Sequence, residues 1–173
     1  MGLFKSPYRT SRRHRQKTLN SSRKMKIYLG ADHNGYHLKE KIESYLLKHG
    51  HDVIDEGDER LDPDDDFTVF AGRVVNAMKA DDDDSAKVRG ILICGSGQGM
   101  AIAANRHKGI RAGLGWGVEA ARSTRQDEDS NVLAIPSQLL DTDKEWQDVI
   151  NVWLKTPFAD APRYRRRNAQ LDA

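Results

Sequence analysis

The chain has 173 residues, 31% of them charged and 38% hydrophobic, with a net charge of +2; that suits one domain with a core of its own and is too apolar for a disordered chain. No apolar run approaches the ~18 residues of a membrane span, no apolar stretch follows the basic N-terminus as a secretory signal requires, and a single cysteine, Cys94, excludes an intramolecular disulfide. One unpaired cysteine also fits a reducing compartment, so the expected location is the cytoplasm.

Residues 1–24 hold eight lysines and arginines and no acid, which leaves a net −6 on residues 25–173. The arm lacks a hydrophobic period and reads as a disordered basic extension. It has three readings. It contacts nucleic acid or an anionic surface by charge; it is a transit segment, being Arg- and Ser-rich and free of acids; or it is an upstream extension of little function with Met25 as the effective start. The third is favoured, because Met25-Lys-Ile runs straight into the first strand.

Residues 25–173 read as one domain of alternating strands and helices. Lys26-Ile-Tyr-Leu-Gly-Ala31 is a buried strand, and Tyr36 to His49 carries Leu38, Ile42, Tyr45 and Leu46 at helical spacing before Gly50 ends it. Asp52-Val-Ile-Asp55 is a short second strand, and the acidic stretch Asp58 to Asp66, with Pro63, is a loop. Phe67 to Lys79 is a helix with Phe70, Val74, Ala77 and Met78 inward. The run Asp81 to Asp84 reads as a solvated loop, since adjacent acids do not share a helix face. Gly90-Ile-Leu-Ile-Cys94 is the central strand, Met100 to Asn105 a tightly packed helix, and Arg111 to Gly115 a fourth strand. Val118 to Gln126 is a helix, Asn131 to Ile135 a fifth strand stopped by Pro136, and Asp143 to Lys155 a helix with Trp146, Val149, Ile150 and Trp153 on one stripe. A last helical tail begins near Arg163. This order predicts an α/β fold: a doubly wound, five-stranded parallel sheet with helices on both faces.

Ligands of such sheets bind beyond the carboxyl ends of the strands. Three polar clusters are expected there: Asp32-His33 after strand one, Cys94 to Gly99 after strand three, and Asp127-Glu128 before strand five. In Cys94-Gly-Ser-Gly-Gln-Gly99, Gly95, Gly97 and Gly99 let the backbone approach a ligand closely, and the helix that follows presents free N–H groups to an anion. A cysteine at such a strand tip is either a buried structural thiol or a reactive thiolate, and its place beside a helix start favours the second. The loop is not a Walker motif, because Met100 follows Gly99 where Lys-Ser/Thr is required. Nor is it a Cys-x5-Arg phosphatase loop, since Met100 stands in the arginine position, and the glycine spacing does not make a dinucleotide fingerprint. His49, His51 and His107 read as surface residues. The segment Arg163-Tyr-Arg-Arg-Arg167 places Arg163 and Arg167 on one helical face with Arg166 beside them, either as a solvated tail or as phosphate-binding guanidinium forks.

The ordered set Gly30-Ala-Asp32-His33-Asn-Gly35, Leu38-Lys39, Val53-Ile-Asp55, Ile91-Leu-Ile-Cys94-Gly-Ser-Gly-Gln-Gly99, Ile102-Ala-Ala-Asn105, Gly109-Ile-Arg111-Ala and Asn131-Val-Leu resembles the type B ribose-5-phosphate isomerases and the related galactose-6-phosphate isomerases, from residue 25 to about 168. The resemblance implies a Rossmann-like fold and an aldose–ketose isomerase without metal or cofactor. It implies a homodimer or tetramer with its site across the subunit interface, and the interconversion of ribose 5-phosphate and ribulose 5-phosphate through an enediolate. By the same resemblance Cys94 is the base, and Ser96 with the loop of Gly95, Gly97, Gln98 and Gly99 stabilises the enediolate oxygen. Asp32 and His33 contact sugar hydroxyls or phosphate, and Arg163 and Arg167 bind the phosphate. The sequence departs from the pattern at the ring-opening group. Asp127 stands where a histidine is expected and Glu128 where an asparagine is; Ile135-Pro-Ser-Gln138 replaces a Gly-x-Arg pattern, Tyr164 replaces a histidine, and Thr68 replaces a proline. Three consequences compete. Asp127 replaces the histidine as the ring-opening group, helped by Glu128; the substrate is another aldose phosphate, either a tetrose 4-phosphate that needs no ring opening or a hexose 6-phosphate; or the chain is a non-catalytic phosphosugar-binding partner subunit.

Overall fold

The computed structural model describes residues 24–81, 83 and 86–173. The readings of the basic arm up to residue 23, and those of Asp82 and Asp84, lie outside them. Five parallel strands, β1 (Lys26–Ala31), β2 (Asp52–Asp55), β3 (Val88–Cys94), β4 (Ala112–Leu114) and β5 (Val132–Pro136), form one sheet in the order β2-β1-β3-β5-β4. Six helices accompany them: α1 (Tyr36–Lys48), α2 (Phe67–Ala80), α3 (Gln98–Ala104), α4 (Val118–Gln126), α5 (Asp143–Lys155) and α6 (Pro162–Leu171). The doubly wound sheet with a helical tail is as the sequence predicts. β5 differs by running through Pro136, which pairs with Cys94. The missing N–H of Pro136 costs no ladder bond to β4, whose pairing ends at Leu114 opposite Ala134.

The period of two in the strands sorts the core into two layers. Ile27, Leu29, Ile91, Ile93, Leu133 and Ile135 face one side with residues of α1, α4 and α5, including Trp146 and Trp153. Tyr28, Leu92, Cys94, Val132 and Ala134 face the other with Phe70 and Val74 of α2 and Met100 of α3. Right-handed crossovers dictate this division. The connections β1-α1-β2 and β4-α4-β5 run one way along the sheet, while β2-α2-β3 and β3-α3-β4 run the other, so their helices take opposite faces. The direction reverses between β1 and β3, which opens a crevice beyond their carboxyl ends. Among the described residues no helix is long and apolar enough to cross a membrane.

Side chains clamp this frame. Lys39, buried on α1, bonds Asp55 at the end of β2. Asp81 accepts from Tyr28 Oη at 2.8 Å and from Lys26 Nζ at 3.1 Å, so the start of the acidic run is tied to β1 rather than simply solvated. His51 is half-buried, not a surface residue, and its Nδ1 accepts from the Met25 N–H at 3.3 Å. Its desolvation lowers its pKa.

Candidate active site

Ala31 and Ile93 are register partners, so the residues that follow them, Asp32 and Cys94, sit side by side at the crevice. Asp32 is buried and accepts from the Asn34 and Gly35 N–H groups at 3.0 and 3.1 Å. Burial pushes its carboxyl up; the Gly35 N–H opposes that. This turn needs a glycine at 35, because a Cβ there would lie 2.6 Å from the Ile93 carbonyl oxygen.

Cys94 is 6% exposed. Its Sγ accepts from the Gly97 N–H at 3.1 Å, which fixes the sulfur at the head of the glycine loop. Gly97 caps α3 in the left-handed region at φ 74°, where only glycine is unstrained. Ser96 Oγ accepts from the Gln98 N–H at 3.4 Å, and its own proton is left to donate. The Ser137 hydroxyl binds the Asn34 carbonyl at 2.9 Å and the Cys94 carbonyl at 3.2 Å, joining the two loops, and the Gln138 amide packs on Gly95.

His33 brings in Asp65 from the acidic loop before α2. Its Nδ1 lies 2.6 Å from Asp65 Oδ1, and its Nε2 lies 2.7 Å from the Asn34 side-chain amide. The Asp65 bond, followed by the charges of Asp65, Asp32 and Asp62, raises the His33 pKa against a smaller desolvation effect. Phe67 closes this side against Gly99. Asp65, Phe67, Ser137 and Gln138 join the site beyond the residues that the sequence assigns to it. The sequence signal for Ser137 and Gln138 is the replaced Gly-x-Arg pattern at the end of β5, and that for Asp65 and Phe67 is their place at the start of the helix that packs on the glycine loop.

Asp127 and Glu128 do not join this edge, which corrects the expected placement. They end α4 and precede β5, so in an all-parallel sheet they lie at its amino-terminal edge, opposite Cys94. The loop they start is firmly held. Arg111 and Arg125 both bind Asp129, at 2.9 and 2.6 Å, and Trp153 Nε1 donates to Ser130 Oγ at 2.8 Å. Asp127 Oδ1 is buried and makes no hydrogen bond among the described residues. The Glu128 carboxyl is pushed up by its partial burial and then by the charge of Asp127, while Arg167 draws it down.

The arginines of α6 belong to this second edge. The Ala159 N–H donates to the Gln126 carbonyl, and Asp172 accepts from the Gly109 N–H, fixing the tail across the starts of β4 and β5. Arg163 and Arg167 are exposed. Arg163 bonds Tyr164 and feels the charge of Asp127, both of which raise its pKa. Beside them opens a cavity of about 520 Å³ lined by Arg106, His107, Lys108, Arg111, Glu128 and Asp172. The predicted site is therefore split. Cys94, Ser96, Asp32 and His33 meet at one edge, and Asp127, Glu128, Arg163 and Arg167 gather at the other.

The family model described as Ribose/Galactose Isomerase matches residues 27–171. The ribose-5-phosphate isomerase B of Mycolicibacterium paratuberculosis is 36% identical over 143 residues, covering 83% of this chain and 87% of the relative. That of Escherichia coli is 34% identical over 151 residues, covering 86% and 95%. The crystal structure of a ribose 5-phosphate isomerase from Thermotoga maritima superposes with a TM-score of 0.78 at 36% identity, over 86% of this chain and 97% of that one. The isomerase B of Mycoplasma genitalium, crystallised with bound ribulose-5-phosphate, gives 0.78 at 35% identity, over 85% and 93%.

Proposed function

The chain belongs to the ribose/galactose isomerase family and is a sugar-phosphate isomerase, and we propose that it interconverts ribose 5-phosphate and ribulose 5-phosphate in the cytoplasm with Cys94 as the base. One observation carries this reading: the Cys94 sulfur, held by the Gly97 N–H, stands at the switch point of the sheet beside Asp32 and His33.

The Cys94 thiolate takes the proton from C2 of the open-chain aldose and returns it to C1. The electron pair left at C2 makes an enediolate, and the Ser96 hydroxyl donates to its oxygen. A proton passes between O1 and O2 as the carbonyl moves from C1 to C2. The hydrogen travels as a proton throughout, so the step needs no redox cofactor, and we assign it without a metal. Asp32 and His33 hold sugar hydroxyls, and the phosphate belongs to Arg163 and Arg167, whose guanidinium forks suit its oxygens.

Because those arginines lie at the far edge of the sheet in one chain, the complete site takes them from a second copy. We therefore propose a homodimer or a tetramer of dimers with the substrate between subunits. Asp127 and Glu128 arrive with the arginines. The Asp127 carboxylate accepts the anomeric hydroxyl proton during ring opening, and Glu128 beside it, whose carboxyl is pushed up by partial burial, assists the transfer.

The carboxylates at 127 and 128, where the family resemblance puts histidine and asparagine, favour one second reading. A tetrose 4-phosphate cannot close a furanose ring through its esterified O4 and needs no ring opening. Purified protein assayed with aldose phosphates of four to six carbons, in wild type and Cys94→Ala, decides these points. The expected result is ketose formation from ribose 5-phosphate that disappears in Cys94→Ala. A higher kcat/KM on the tetrose transfers the function to that substrate. Turnover that survives Cys94→Ala removes the cysteine from the chemistry, and inactivity on the whole panel leaves a phosphosugar-binding subunit.

A further inference from the structure

We infer that Asp65 is the positioning residue of the sugar site: it binds the Nδ1 nitrogen of His33 and so commits Nε2 of that ring to the ligand. The inference deepens the reading of His33 as a sugar-binding group and rests on it.

Asp65 stands in an acidic loop but does not behave as a loop acid. Asp62, Asp64 and Asp66 around it are exposed, whereas its side chain is only 6% exposed. Its Oδ1 is 2.6 Å from His33 Nδ1, and its Oδ2 is buried without a hydrogen-bond partner among the described residues. A buried carboxylate with one neutral partner is costly, and a cationic partner offsets much of that cost. The charged groups that act on His33, Asp65 first and then Asp32 and Asp62, are all acidic, and they raise its pKa. With Nδ1–H spent on Asp65, Nε2 is the nitrogen left to meet a ligand. It faces the exposed amide of Asn34 at 2.7 Å, which a sugar or phosphate oxygen can displace. An aspartate that fixes one ring nitrogen so that the other works is a recurrent arrangement at histidine sites. Here the aspartate comes from the loop before α2 and the histidine from the loop after β1, 32 residues apart.

The test uses the full chain labelled with 15N at its histidine rings, with His33→Gln identifying the His33 signals. In wild type the ring is expected to carry its proton on Nδ1 when neutral and to titrate above the ordinary value of 6.5. In Asp65→Asn the midpoint is expected to fall toward that value and the tautomer preference to weaken, with Asp64→Asn as an unchanged control. In parallel, Asp65→Asn is expected to lower kcat/KM by about 10- to 100-fold, the range that orienting partners of histidine ligands carry. The alkaline limb of its pH profile should move down with the imidazole midpoint. A His33 signal that is the same in wild type and Asp65→Asn overturns the inference whatever the activity. So does a shifted signal with kcat, KM and pH profile all unchanged. A wild type inert on every aldose phosphate instead sinks the isomerase reading and leaves the ring titration to judge the Asp65–His33 pair.

Discussion

The Gly97 N–H donates to Cys94 Sγ at 3.1 Å, so the loop that caps α3 also holds the sulfur in place. Gly97 adopts φ 74° directly after this bond, and that left-handed turn leads the chain from the loop into α3.

Gly97→Ala tests that dependence. A Cβ at 97 would lie 2.5 Å from Leu114 Cδ1 and would strain the left-handed backbone. The variant should lose about 1–3 kcal/mol of stability in urea melts. Its kcat should fall by more than its KM rises, because the displaced group is the proposed base. A folded Gly97→Ala protein with wild-type kcat would show that the sulfur does not depend on the loop.

The split of charged groups between the two edges of the sheet predicts complementation. Cys94→Ala lacks the proposed base, and the double variant Arg163→Ala with Arg167→Ala lacks the proposed phosphate clamp, so each should be nearly inactive alone. Unfolded together and refolded as a mixture, they should form hybrid dimers with one intact site, recovering about a quarter of wild-type activity under random two-fold pairing. No recovery, with hybrids demonstrated by mass, would mean that the site lies within one chain.

Much of this arrangement is legible in the sequence where the signal is local. The stripe of Trp146, Val149, Ile150 and Trp153 defines α5, and Thr142 with Glu145 forms its capping box. The Cys94 loop announces itself because a hydrophobic strand ends in alternating glycines. The order of elements contains the edge to which Asp127 belongs, since a residue between a helix and the next parallel strand lies at the amino-terminal side. The position of Asp127 in the ring-opening motif points instead to the Cys94 edge, and the two agree only if the site is shared between subunits as proposed. The Asp65–His33 bond is different in kind. Several aspartates compete within that loop, and only the path of the chain over β1 decides which one turns inward.

Lys39 predicts a stability effect away from the chemistry. Its ammonium is buried against Asp55, its stem packs on Gly57, and Asp55 also accepts from the Gly57 N–H at 2.8 Å. Lys39→Ala removes the partner and opens a gap, and should cost about 3 kcal/mol, the lower end for breaking a buried pair, since Asp55 keeps some contact with water. Lys39→Met preserves the stem and should lose clearly less. Equal losses in thermal melts of the two variants would assign the effect to charge alone, and no loss in either would remove the pair from the stability of the α1–β2 corner.

His33 predicts how stability varies with pH. Its folded pKa is raised, chiefly by the bond to Asp65, above the unfolded value near 6.5. The folded state therefore holds the proton more tightly than the unfolded chain does. The resulting stabilisation is complete below about pH 6.5 and fades as pH rises through the folded value. Urea melts of wild type and His33→Gln from about pH 5 to about pH 9 should show the wild-type advantage shrinking across the neutral to alkaline range. Asp32 and Glu128, whose carboxyls are also raised, remain in both proteins, so the difference between the two curves reports mainly on His33. Parallel curves over the whole range would mean that the imidazole gains no proton affinity on folding, and a gap that widens with pH would reverse the sign of the coupling.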